Sequence, residues 1–212
     1  MTNFKVNPND YDHVCYIVAG GPSLIGFDWS LLTGKFVVAI NRSYEVLPEA
    51  QVLYFTDPDY WDRHKDAMRA HKGQMIKGDI NPKPLDDPDV IIYRLTRQLG
   101  LETKPGCLSH GSNSTYAATN LVTVHFGFRR VYLLGVDMKW GKSGDKTTSH
   151  WHNGHRRVDA ESSYKTMIKN WETIVAPLRE RGVEVWNANP DSALHCFPKC
   201  TLDQAINNVP PK

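Results

Sequence analysis

Six short apolar runs, at residues 13–18, 36–40, 51–55, 90–93, 131–134 and 183–186, alternate with segments of helical period. Several of the runs are apolar nearly throughout, as strands buried on both faces must be. The helical patterns lie at 59–71, 112–126 and 159–181. In the last, Tyr164, Met167, Ile168, Trp171, Ile174, Val175 and Leu178 recur at three- and four-residue spacing, and Gly182 ends it. That stripe reads as core packing. In 112–126, Ser112 or Asn113 is the expected cap and Gly127 the stop. Strands alternating with helices predict an α/β fold, Rossmann-like, with a mostly parallel sheet flanked by helices. The length of 212 residues suits one domain, 1–212, with a lid or excursion at 139–158. Residues 77–89, rich in proline and aspartate, read as a loop, and 207–212 as a frayed tail.

The first run leads into the most specific turn in the chain, Tyr16-Ile17-Val18-Ala19-Gly20-Gly21-Pro22-Ser23-Leu24. Paired glycines allow a tight turn and close approach of a ligand to the backbone. In an open α/β sheet, ligands bind beyond the carboxyl ends of the strands, where the strand order reverses. The turn matches neither G-x-G-x-x-G nor the P-loop pattern, which argues against an ordinary dehydrogenase or NTPase.

Polar residues collect where the other runs end: Asn41, Asp57, Asp137 and Asn187, beside Ser23. Asx residues favour turns and caps on their own account, so each has a structural reading beside the functional one. The Asn41 amide is suited to a ribose or a base edge, and Arg42 to a phosphate. Asp57-Pro58-Asp59 resembles the D-x-D of metal-dependent glycosyltransferases, where carboxylates hold Mg²⁺ or Mn²⁺ on a diphosphate. The competing reading makes Asp57 an Asx turn and Asp59 a helix cap. Trp61 and His64, one helical turn apart, are expected to face the same cleft. His110-Gly111-Ser112-Asn113-Ser114 opens a helix with hydroxyls and unpaired N–H groups, an anion site or ordinary capping.

Ser149-His150-Trp151-His152-Asn153-Gly154-His155 places three histidines within six residues. Imidazole titrates near neutrality, so one of them suits a general base. Zinc ligation by two of them is a weaker reading. Lys139, Lys142, Lys146, Arg156 and Arg157 surround the segment and suit a departing phosphate. Cys196 and Cys200 lack the second pair that a zinc site of that spacing needs, and Cys15 reads as a buried small hydrophobe. The formal net charge of +2 gives no strong field for nucleic acid or membrane. No run approaches the length of a membrane span, and residues 1–12 are too polar for a signal peptide, so a cytoplasmic protein is expected.

Five motifs in one order, I-V-A-G-G-P-S-L, V-A-I-N, the helix start near Ser112 followed by G-F-R-R-V-Y-L-L-G-V-D, S-H-W-H-N-G-H and N-A-N-P-D-S-A-L, resemble the bacterial sialyltransferases that use CMP-sialic acid. They are closer still to an uncharacterised phage and prophage group of the same sialyltransferase-like architecture, with V-N, D-x-x-W-W-x-x-H and H-W-H-x-x-H. The resemblance spans 16–206. It implies nucleotide contacts from Gly20, Gly21, Ser23, Asn41, Ser112 and Ser114, and a general base at His155. Pro22, Arg42, Asn113 and Asp137 join the nucleotide-binding candidates by their place at the same strand ends and helix start, with His150 or His152 expected to orient the base and Lys139 to stabilise the departing phosphate. Asp57, Asp59, Trp61 and His64 would meet substrate or a metal.

Three features depart from the sialyltransferases. The asparagine between the glycines is absent, Lys139 and Lys142 stand where tyrosines follow G-x-D, and Thr115 replaces a helix-start glycine. The resemblance thus implies a nucleotide or nucleotide-sugar partner, with a glycan or modified nucleobase as acceptor, in a host cytoplasm and with a homo-oligomer open. Archaeal pterin pyrophosphokinases are similar to the same superfamily and supply the rival chemistry, Mg²⁺-dependent pyrophosphoryl transfer. A nucleotide-binding accessory protein without catalysis is the third reading.

Overall fold

The computed structural model describes residues 4–81, 85–140, 150–152 and 160–211. Eight strands form one sheet: β1 (Val14–Val18), β2 (Phe36–Ile40), β3 (Val52–Phe55), β4 (Gln74–Asp79), β5 (Val90–Thr96), β6 (Cys107–Ser109), β7 (Arg130–Leu134) and β8 (Glu184–Asn187). Their order is β6-β5-β4-β3-β2-β1-β7-β8 and every pairing is parallel. The chain lays strands outward from β1 to one side, then returns to place β7 and β8 on the other. The strand order therefore reverses between β1 and β7, the position where open α/β sheets bind ligands.

Both faces are covered, which is why β1, β2 and β3 are buried residue by residue. On one face, Cys15, Ile17, Val38, Val131 and Leu133 pack with helix α2 (Ser114–Asn120) and helix α3 (Ala160–Glu180) through Tyr116, Leu121, Trp171, Ile174 and Leu178. On the other face, helix α1 (Pro58–Met68) covers Leu53, Phe55 and Met75. Short helix α4 (Leu202–Ile206) and the turns holding Leu24 and Leu32 cover Tyr16, Val18, Val37 and Leu134. The apolar stripe of α3 is core, as its period predicts. Cys15 is fully buried, and burial pushes its thiol well above the ordinary range.

Four sequence expectations need correction. Residues 77–79 are not loop but the end of β4. There Lys77 and Asp79 are buried as an ion pair at 2.5 Å, a composition that imitates a loop. The Asp79 carboxylate also accepts the Asn81 and Leu85 peptide N–H groups. The three-residue strand β6 is too short to show a pattern. The helix expected at 112–126 starts at Ser114 with Asn113 as cap, and its last turn, Leu121–His125, is π-helical. The tail is fastened at Asn208, whose Oδ1 accepts from Arg130 and from the Tyr132 hydroxyl.

Local groups occupy part of the outer edge of each outer strand. At β6, the Ser109 N–H donates to Asn120 Oδ1, the Cys107 N–H donates to the Lys104 carbonyl, and the Cys107 carbonyl meets His125 Nε2. At β8, Asn187 is bridged in parallel by the segment at Lys199, with bonds from Asn187 N to Pro198 O and from Cys200 N to Asn187 O. Among the described residues no helix is long and apolar enough to cross a membrane.

Candidate functional site

A cavity of about 310 Å³ opens at the switch between β1 and β7. Its floor is the glycine turn after β1 and the Gly135-Val136-Asp137-Met138 segment after β7. The two segments are tied by Gly21 N donating to Gly135 O at 2.9 Å. The Asp137 carboxylate completes the junction. It accepts from Ser23 N at 2.8 Å, from the Ser23 hydroxyl at 2.7 Å and from Asn189 Nδ2 at 2.8 Å. Asn187 is buried behind it, donating to the Val136 carbonyl and to Ser192 Oγ. These two strand-end residues are used to brace the floor.

Gly21 is required by that junction. Its φ of −61° suits any residue, yet an added Cβ would collide with the Gly135 carbonyl and lie 2.7 Å from Asp137 Oδ2. Gly20 is required by something else: a Cβ there would sit 2.5 Å from His150 Cδ2 and 3.4 Å from His152 Nε2. The histidine segment thus lies directly on the turn. Trp151 N donates to Gly20 O at 2.8 Å and Trp151 Nε1 to Ala19 O at 3.2 Å. The imidazoles of His150 and His152 are 5.1 Å apart, and His150 lines the cavity.

The far wall comes from β2, β3 and α2. Asn41, Thr56, His110, Ser112, Asn113 and Ser114 line it. The Thr56 and Ser114 hydroxyls share a 2.6 Å bond, and Asn113 Oδ1 caps α2 at Tyr116 N. Burial holds the His110 imidazole below its usual range, hence neutral at pH 7. Asn41, Ser112 and Met138 all have φ between 50° and 57°. Non-glycine residues rarely adopt that left-handed region, and such outliers cluster at functional sites. The roof is more apolar, from Tyr164 and Met167, with Lys139 exposed at the rim. Burial raises the Tyr164 phenol, and the Asp137 charge raises it further.

The structure brings Gly20, Gly21, Asn41, Ser112, Asn113, Ser114, Asp137, Lys139 and His150 to one cavity. It places others elsewhere. Pro22 and Ser23 form the turn beneath it, with Ser23 committed to Asp137. Arg42 forks onto Glu45 at 2.7 and 2.9 Å. Asp57 caps α1 by accepting from Asp59 N, and its other oxygen accepts from Arg63 at 3.2 Å. With both Asp57 oxygens so engaged, and neither Asp57 nor Asp59 lining the cavity, the pair does not fit a divalent ion on a bound diphosphate there. Trp61 is buried against Phe55 under Arg69, and the His64 ring packs on Tyr60. His155, Lys142, Lys146, Arg156 and Arg157 lie outside the described residues. Among those described, no cluster of three His, Cys, Asp or Glu side chains is placed to hold a metal.

No protein-family model, curated protein or solved structure matches this chain. The site must be read from its own chemistry.

Sequence reasoning missed Thr56, Met138, Tyr164 and Met167. Thr56 stands next to an aspartate that drew attention to itself. Tyr164 and Met167 belong to the α3 stripe, whose first turns line the cavity as well as packing on the core. The signal was the stripe's extent: it begins well before the residues that the sheet covers.

Proposed function

We propose that the chain binds a nucleotide sugar in the cavity between β1 and β7 and transfers the sugar to an acceptor hydroxyl. The observation that carries this reading is the seating of His150 on the glycine turn, in a cavity whose opposite wall is hydroxyl-lined and whose rim carries Lys139. A transferase needs a base at the acceptor and positive charge at the leaving group, and His150 and Lys139 both line this cavity. In this reading the bond from the anomeric carbon to the phosphate oxygen breaks as the bond to the acceptor oxygen forms. The acceptor proton passes to the imidazole of His150, which lines the cavity beside the glycine turn. The departing nucleotide keeps the electron pair, and Lys139 offsets its charge. Ser112, Asn113 and Ser114 offer the nucleotide hydrogen bonds, and Met138, Tyr164 and Met167 offer an apolar face.

Glycosyl transfer is favoured over pyrophosphoryl transfer because the latter needs the Asp57–Asp59 pair at the cavity, and Asp57 is bound to Arg63 outside it. The test is a thermal-shift screen of nucleotides and nucleotide sugars, followed by detection of released nucleotide with candidate acceptors. A ligand at a hundred times its Kd adds about 2.7 kcal/mol to the native state, which is about 5–10 °C for a chain of this size. Binding with release of nucleotide from a sugar donor supports the reading. Release of AMP from ATP replaces it with pyrophosphoryl transfer, binding without turnover replaces it with an accessory role, and no shift with any nucleotide overturns it.

A further inference from the structure

The histidines of the 150–152 segment sit on the glycine turn, and the residue between them ties the segment to it. Trp151 donates twice from one residue, through its peptide N–H to Gly20 O and through its indole to Ala19 O. Those are consecutive carbonyls at the carboxyl end of β1, a strand paired on both sides by β2 and β7. The indole also packs on Trp29, with ring centroids 5.3 Å apart. Two donors and a ring contact fix both the position and the rotation of the segment. They act on a rigid element, which is what holding a reactive group within a fraction of an ångström requires. The turn supplies the complementary device. Gly20 has no Cβ, and the space a Cβ would fill is the space beside His150 Cδ2.

We propose that Trp151 is the positioning residue of this site: it seats the His150 imidazole against Gly20, and Gly20 is glycine to make room for that ring. Trp151 need not touch substrate to do this. The catalytic consequence rests on the transferase reading above, whereas the seating does not.

The test uses the full chain with ¹³C-labelled histidine, following the ring resonances of His150, assigned by loss in His150→Gln. Three variants separate the parts. Trp151→Ala removes the indole bond and the ring contact. Trp151→Phe keeps the ring on Trp29 and the peptide bond to Gly20 O but loses the indole donor. Gly20→Ala leaves Trp151 intact and fills the seat from below, so it decides the matter if Trp151→Ala does not fold. The expected result is that the His150 resonances move to those of a solvent-exposed histidine in Trp151→Ala and in Gly20→Ala, and part of the way in Trp151→Phe. His150 resonances identical to wild type in Trp151→Ala or Gly20→Ala overturn the proposal.

Where a transferase assay exists, kcat falls on the order of 100-fold in Trp151→Ala, the scale of a misplaced general base, while nucleotide Kd changes less than about threefold. Resonances that move while kcat stays put leave the seating intact and remove His150 from the reaction. A wild-type protein that binds no nucleotide likewise sinks the transferase reading, and the resonances still decide the role of Trp151.

Discussion

Asp137 stands in the cavity floor and invites a functional reading, yet its contacts make it a clamp, and Asp137→Asn separates the two. The carboxylate takes three hydrogen bonds, two from Ser23 and one from Asn189. An asparagine has one oxygen and must turn its NH₂ toward at least one of those donors. Oriented best, it keeps the Ser23 hydroxyl and Asn189 and faces its NH₂ to the Ser23 peptide N–H. One bond to a charged acceptor is lost, worth about 1.5–3 kcal/mol, and a half-buried N–H is left without a partner, which costs about 1–3 kcal/mol more. The expected destabilisation is about 3 kcal/mol, or a fall in Tm of about 6–12 °C, measured by circular dichroism melting. Ser23→Ala removes one of the same bonds, so the double variant should show coupling of about 1–2 kcal/mol. A variant that melts within about 2 °C of wild type but no longer binds nucleotide refutes the clamp and makes Asp137 a ligand contact.

Gly21→Ala should destabilise by about 1–3 kcal/mol, because the collision is with the Gly135 backbone and has nowhere to relax; melting curves check it. Burial holds His71 down to about 4, from 6.5. The folded chain therefore resists a proton that the unfolded chain accepts. This contribution is whole above pH 6.5 and is lost as pH falls toward 4, by about 3 kcal/mol in all. His71→Gln should flatten that part of the acid limb in urea titrations between pH 7 and pH 4. Lys77→Met leaves the buried Asp79 carboxylate without its ion pair and should cost about 3–5 kcal/mol in the same assay. Asp57→Ala should cost about 1 kcal/mol as a lost cap and leave nucleotide affinity unchanged by calorimetry.

Burial on both faces made β1, β2, β3 and β7 legible, since it forces apolar residues at nearly every position rather than alternate ones. The same logic hid β4, because a strand that buries a lysine and an aspartate against each other loses the pattern by which strands are found. The site was legible as a set of strand ends but not as a division of labour. Asp137 and Asn187 stand at the strand ends, where the sequence puts them, and both brace the floor, with Asp137 also lining the cavity. Arg42 had a nearer partner in Glu45, three residues on, and Asp57 had one in Arg63. Local pairing of this kind competes with any ligand, and it was visible in the spacing. What no spacing reveals is that the histidine segment returns to the first turn across some 130 residues of chain, where Trp151 bonds to Ala19 and Gly20.

The outer strands carry a consequence for how the molecule meets copies of itself. A parallel sheet with bare edges is an invitation to add another strand, from a second molecule or from a chain still folding. Here the side chains of Asn120 and His125 occupy the outward peptide groups of β6, and the segment at Pro198–Cys200 runs alongside the end of β8. Each of these positions is filled by a residue whose own helix or segment is anchored elsewhere, so the guard remains in place as long as the fold does. A strand added at Cys107, Ser109 or Asn187 would first have to displace these groups.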